Sequence, residues 1–168
     1  IRTKYEAYVV KLLSLIEWPE PEKSAKDILA FETRLAEASW ERAERRNRDK
    51  TYNLTTPAEL TAYAPGYDFQ RMLGARGLGK VTKVIVSDNT AFPRKAAIFA
   101  DTSMATLKAW NAFGVADASA PFLSKAFVEA SFEFNNKTLS GQPEPLARWK
   151  RGVAVTDGAL GEVVGEVY

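Results

Sequence analysis

The chain of 168 residues contains no histidine and no cysteine. The first absence removes the imidazole that usually serves as a general base near neutral pH, and with it the commonest protein ligand of zinc. The second removes thiol nucleophiles, thiolate ligands and disulfides, so no redox compartment can be read from the sequence. Long apolar runs are missing too: hydrophobic stretches are broken by Lys, Glu or Gly, short of the about 20 residues that cross a bilayer. Neither charge dominates. The 23 basic and 21 acidic residues leave +2, which points to neither a nucleic-acid nor a membrane partner. The chain is expected to hold no catalytic, cofactor-binding or metal-binding residue and to be inactive as a hydrolase by itself.

What is present describes a folded body. Hydrophobic residues at 46% and charged residues at 26% are ordinary globular usage. Nine Phe, six Tyr and four Trp supply core volume that argues against disorder. The length suits one domain that buries about two-thirds of its unfolded surface. The chain begins at Ile1 without a signal-like segment. It ends at Val163-Val164-Gly165-Glu166-Val167-Tyr168 while still amphipathic, and both ends are expected to be cut from a longer polypeptide.

Periodicity predicts a mainly α fold, an irregular multi-helix bundle with at most one or two short β-strands. Tyr5, Tyr8, Val9, Leu12, Leu15 and Ile16 share one helical face, closed by Pro19 and Pro21. A second helix is expected from Ser24, with Asp27 as a shortened capping box and Ile28, Phe31, Leu35 and Ala38 inward. The segment Glu41 to Lys50 is expected to continue helically, with Glu41/Arg45 and Glu44/Arg48 as i,i+4 pairs. Its cations Arg42, Arg45, Arg46, Arg48 and Lys50 then read as a solvated face rather than a phosphate grip. Thr56-Pro57-Ala58-Glu59 is a strong helix start, and Asp68 caps a short helix through Leu73, ended by Gly74 and Gly77.

The β-branched stretch Lys80 to Ser87 predicts one buried strand with no obvious partner, a further hint of missing chain. Helices follow over Pro93 to Ala100, from the Asp101-Thr102-Ser103 cap through Trp110, and from Pro121 to Asn135 with Leu123, Phe127, Ala130 and Phe134 on one face. After a turn at Gly141 to Pro145, the final helix carries Trp149, Val153, Leu160, Val164 and Val167 on its apolar side. Ala154, Gly158, Gly161 and Gly165 form a small-residue stripe on that helix. Each interior glycine costs ~1 kcal/mol against alanine, so the stripe calls for a close neighbour. That neighbour is either another helix of this domain or a segment beyond Tyr168.

Some stretches imitate chemistry. Gly74-Ala75-Arg76-Gly77-Leu78-Gly79-Lys80 has the spacing of a phosphate-binding loop. Position 81 is valine, however, and the order is helix to strand, the reverse of what that loop requires. Carboxylate pairs could act as acid and base, yet their spacings are those of caps and surface pairs. Glu32, between Phe31 and Leu35, reads as a structural hydrogen bond or salt bridge. Asn53-Leu54-Thr55 and Asn136-Lys137-Thr138 fit the glycosylation pattern, which matters only on a eukaryotic secretory route.

Several motifs together resemble the N-terminal, non-catalytic region of the neprilysin and endothelin-converting enzyme family of zinc metallopeptidases. They are Arg2-Thr3-Lys4-Tyr5 leading to Leu12-Leu13; Glu32-x-x-Leu35-Ala36; and Asp49-Lys50-Thr51-Tyr52-Asn53 with Thr56-x-x-Glu59-Leu60 and Pro65. Leu139-x-Gly141, Arg148-Trp149-Lys150-Arg151 and Gly161-x-x-x-Gly165-x-x-Tyr168 complete the set. Many members have cysteine after the R-W-[KR]-R motif; Gly152 stands there, and the cysteine-free version resembles a bacterial member.

The resemblance implies a parent zinc endopeptidase that encloses its active site between two largely helical lobes. H-E-x-x-H, E-x-x-x-D and the N-A-[FY] strand would all follow Tyr168. Asn111-Ala112-Phe113 spells N-A-F but falls on a helix, so the substrate role is not carried to it. This chain would wall the chamber and limit access to short peptides. Its implied partners are the missing C-terminal catalytic domain and the parent's peptide substrates, its implied cofactor is zinc held elsewhere, and its implied location is periplasmic or extracellular. Two other classes compete: a stand-alone helical scaffold or protein-interaction domain, and a metal-independent carboxylate hydrolase.

Overall fold

The first helix, α1 (Arg2–Leu15), turns Tyr8, Val9, Leu12 and Leu13 inward, and the last three are fully buried. It stops at a Schellman turn. The Glu17 N–H donates to Ser14 O (3.1 Å) and the Trp18 N–H to Leu13 O (2.9 Å), with Glu17 left-handed at φ 56°. These are features of a computed structural model that describes residues 1–167; Tyr168 and the Val167 side chain, both assigned roles above, lie outside the described residues.

Helix α2 (Pro21–Ala38) starts at Pro21 rather than Ser24. Proline already has the backbone angle of a first turn, and the Ser24 N–H bonds Glu20 O at 3.0 Å. Asp27 consequently pairs with Lys23 (3.1 Å) instead of closing a box. The helix buries Ala25, Ile28, Phe31 and Ala38.

Helix α2 is not prolonged through Lys50. The chain leaves it extended at Ser39, makes one 3-10 turn at Glu44–Arg46, and forms the one-turn α3 (Arg48–Thr51) under an Asn47 cap. Neither expected i,i+4 pair forms; Glu44 reaches Lys50 instead (3.4 Å). A segment with no apolar stripe has nothing to hold a helix against the core.

The strand expected over Lys80 to Ser87 shrinks to β2 (Val84–Ile85), and its partner lies within the chain. Strand β1 (Leu54–Thr55) pairs with it antiparallel, Leu54 opposite Ile85 and Thr55 opposite Val84. Asn53 locks the pairing: its Nδ2 donates to Lys50 O (2.7 Å) and Val86 O (2.9 Å), and its Oδ1 accepts from Asn89 Nδ2 (2.9 Å). The supposed gap in the chain is therefore closed by residues already present.

Helix α4 (Pro57–Tyr63) carries the full Thr56/Glu59 capping box. Helix α5 (Phe69–Ala75) is capped by Asp68 and runs two residues past Leu73. After α6 (Phe92–Asp101), α7 (Met104–Ser119) starts from a Ser103 cap and extends well beyond Trp110. The helix expected over Pro121 to Asn135 is split into a 3-10 turn (Ala120–Phe122), α8 (Lys125–Ser131) and a π-helical segment (Phe132–Thr138). The wider π turns let adjacent Phe134 and Asn135 both reach Tyr8. Gly141, at φ 72°, ends that segment, with the Gln142 N–H returning to Asn136 O at 3.0 Å. The Leu139-x-Gly141 motif is thus a helix stop. Among the described residues the fold is mainly α, with nine α-helices and one two-stranded sheet.

Two apolar cores result. The larger joins α1, α2, α7 and the π segment around Leu12, Ile28, Phe113 and Phe134. The smaller joins α4, α5, β2 and α6 around Leu60, Phe69, Val86 and Ala96. Edge-to-face contacts link them: Phe99 meets Phe31 (5.2 Å) and Trp110 (5.8 Å) on one side and Tyr67 (5.8 Å) on the other. Gly66 lies against α6 so closely that an added Cβ would overlap Ala96 O and sit 2.8 Å from Ala96 C. Backbone cannot yield as a flexible side chain does, so Gly66→Ala is expected to cost about 2–3 kcal/mol, read as a lowered urea midpoint.

Candidate functional site

Two half-buried polar clusters sit at the margin of the larger core. In the first, Glu32 accepts from Tyr5 Oη (2.6 Å) and from Trp110 Nε1 (3.0 Å), tying α1, α2 and α7 together. In the second, Tyr8 donates to Asp117, and Asn135 Nδ2 lies 3.3 Å from Ser131 Oγ and 3.4 Å from both Tyr8 Oη and Asp117 Oδ1. Burial, and then hydrogen bonding to Glu32, pushes the Tyr5 phenol far up; burial, and then hydrogen bonding to Asp117, does the same for Tyr8. Both stay protonated as donors. The clusters are structural joints between helices. Glu32 thus takes the structural role expected of it, while the pairing of Tyr8 with Asp117 and Asn135 had no sequence signal, being made across separations of up to 127 positions.

These phenols make a pH prediction. A folded-state pKa raised above the ordinary value near 10.0 leaves their stabilisation fully present below that value and removes it as pH rises further. Stability is expected to fall above about pH 10, with phenolate absorbance for the two tyrosines appearing only at unfolding. Tyr5→Phe/Tyr8→Phe is expected to lose that alkaline slope.

The imitative motifs have structural explanations. Gly77, at φ 73°, terminates α5, with the Leu78 N–H bonding Leu73 O at 2.8 Å, so the glycine spacing serves a helix end. Phe113 of Asn111-Ala112-Phe113 is buried on α7 with its ring edge-on to Tyr5 and Tyr8, both at 6.0 Å. Asn53 is consumed by the strand lock, and Asn136 Nδ2 donates to Gln142 Oε1 (3.1 Å).

The unpartnered surface belongs to α9 (Arg148–Val167). Every residue from Gly152 to Val163 is exposed, and Trp149 keeps 68% of its surface. Val153, Leu160 and Val163 are also exposed, and Phe122 beside the same groove keeps 71%. A Cβ at Gly158, Gly161 or Gly165 would meet nothing within 4 Å. Close packing of the glycine stripe inside this domain is thereby overturned. The helix bends at Leu160 (φ −130°, ψ 30°), between two of those glycines, where kinks are cheapest. A groove of about 760 Å³ runs between α9 and the Phe122–Val128 stretch. On its wall, Arg151 Nε is buried without a hydrogen-bond partner, an exception in folded proteins.

Zinc binds nitrogen, sulfur and carboxylate oxygen in a closed or three-ligand set. The chain has no His or Cys, and among the described residues no three acidic side chains are grouped to hold a metal. These residues do not fit that ion. No helix among them is long and apolar enough to cross a membrane.

Among the described residues the chain is thus a mainly helical body with one largely exposed apolar helix. The sequence model of the N-terminal domain of peptidase family M13 matches residues 1–168, and the chain belongs to that family. Neprilysin-2 of Drosophila melanogaster is 31% identical over 80% of this chain and 18% of its own length. Human endothelin-converting enzyme 1 is 24% identical over 100% of this chain and 23% of its own. Among solved structures, Mycobacterium tuberculosis zinc metalloprotease Zmp1 in complex with an inhibitor superposes with a TM-score of 0.94. It is 31% identical over 99% of this chain and 26% of that one. The open state of Zmp1 gives 0.92 at 32% identity. The chain spans about a quarter or less of the length of these proteins.

Proposed function

We propose that this chain is part of the N-terminal lobe of a neprilysin-like zinc endopeptidase, walling the substrate chamber and admitting only short peptides. In this reading the zinc ligands and the catalytic glutamate belong to further polypeptide of the same protein, and no residue of this chain has a catalytic role. The periplasmic or extracellular placement and the bacterial origin rest on the family resemblance. The observation that carries the proposal is α9: an exposed apolar helix with an open glycine stripe. Exposed apolar surface of this kind marks an interaction face, and further polypeptide packed there would cover the stripe.

Reading the parent gene past Tyr168 tests this directly. H-E-x-x-H is expected within the following few hundred codons, and its absence ends the peptidase reading. Supplied with zinc, the 168-residue chain alone is expected to leave peptides uncut. The scaffold reading instead expects little binding of a hydrophobic dye; strong dye binding, reduced by Trp149→Ser/Val163→Ser, would count against it.

A further inference from the structure

A second open groove, about 870 Å³, lies on the smaller core, away from α9. Arg45, Arg46 and Arg48 stand at it, and Met72, Leu73, Val84 and Ile85 line it with apolar surface. All three arginines are exposed, and none of the ion pairs among the described residues uses them. The one acidic side chain at the groove, Asp88, is already paired with Lys95 (3.2 Å). The groove therefore presents three arginines outside any ion pair of the described residues beside apolar walls, with Glu44 and Asp49 as their sequence neighbours. Its volume lies in the range of small-ligand and peptide clefts.

We infer that this groove binds acidic peptide segments in which carboxylates alternate with aliphatic or aromatic side chains. The charge pattern selects the carboxylates, since guanidinium forks match them in bidentate geometry. The apolar wall selects the side chains between them, which a bare inorganic anion cannot supply. Nucleic acid fits less well. Bases bind on free aromatic faces, and here the two lining phenylalanines, Phe69 and Phe92, stack on each other at 5.1 Å. The site is independent of the chamber reading and does not require α9.

The test uses the whole polypeptide that contains this chain, with a chelator present so that the probe is not cut. The probe is an end-blocked, fluorescein-labelled Glu-Leu-Glu-Phe-Glu peptide, followed by anisotropy. Binding is expected to weaken as salt rises, to drop about tenfold in Arg45→Gln/Arg46→Gln/Arg48→Gln, and to drop by about as much in Ile85→Asp. The Lys-Leu-Lys-Phe-Lys counterpart is expected not to bind. These four positions are exposed, so an unchanged circular-dichroism spectrum separates lost binding from lost fold. No binding by the whole polypeptide would overturn the inference, as would full affinity in the triple variant or in Ile85→Asp. Tighter binding of a single-stranded oligonucleotide at the same arginines would overturn it as well.

Discussion

Replacing Phe113 with alanine is expected to lower the unfolding free energy by about 3–5 kcal/mol, the range for emptying a large aromatic from a packed core. Phe113 is buried on α7 and receives the edges or faces of Tyr5 and Tyr8 from α1. Those same rings pack on Phe134, at 5.5 and 4.8 Å. The cavity would open where three elements meet and none can collapse into it without moving a helix. Urea denaturation at constant slope measures the loss. The result also separates two readings of Asn111-Ala112-Phe113. A substrate-binding role would weaken peptide binding at unchanged stability, whereas a core role moves stability first.

The second large effect is expected from Glu32→Ala, at about 2–3 kcal/mol. Removing the carboxylate strands two donors, Tyr5 Oη and Trp110 Nε1, at a junction of three helices. Leaving a half-buried donor unmade costs more than its bond contributes wherever water cannot reach the vacated position. Glu32→Gln keeps one acceptor oxygen and is expected to lose about half as much. A double-mutant cycle with Tyr5→Phe checks the mechanism: the phenol must be the orphan, so Glu32→Ala should cost less once the hydroxyl is gone. Simple additivity would refute it.

Much of the helical order was legible because it depends on local chemistry. The Thr56/Glu59 box, the Asp68 cap and the stripes of α1 and α2 are satisfied within one or two turns of chain. Where reading failed, the deciding contact was distant or absent. Glu41 to Lys50 carried good i,i+4 charges, but such pairs contribute only about 0.2–0.5 kcal/mol each and could not replace an apolar face. Strand β2 had its β-branched residues in plain view, yet its partner was two residues long and held by the Asn53 side chain, which a strand pattern does not announce. The glycine stripe of α9 was visible as an oddity, and only the open space around it decided against packing inside this domain.

By itself the sequence determined which chemistry this chain is without: lacking imidazole and thiol, it lacks the usual zinc ligands whatever its shape. It also determined the Thr56/Glu59, Asp68 and Ser103 helix starts and the motif order by which the family is recognised, since caps and motifs are properties of adjacent residues. Tertiary structure alone decided that Glu32 and Asp117 are joints between helices, that three arginines share one open groove, and that α9 is left uncovered. The physical reason is separation along the chain. Interactions within a turn are set by spacing, whereas those across tens of residues exist only once burial has chosen which faces meet.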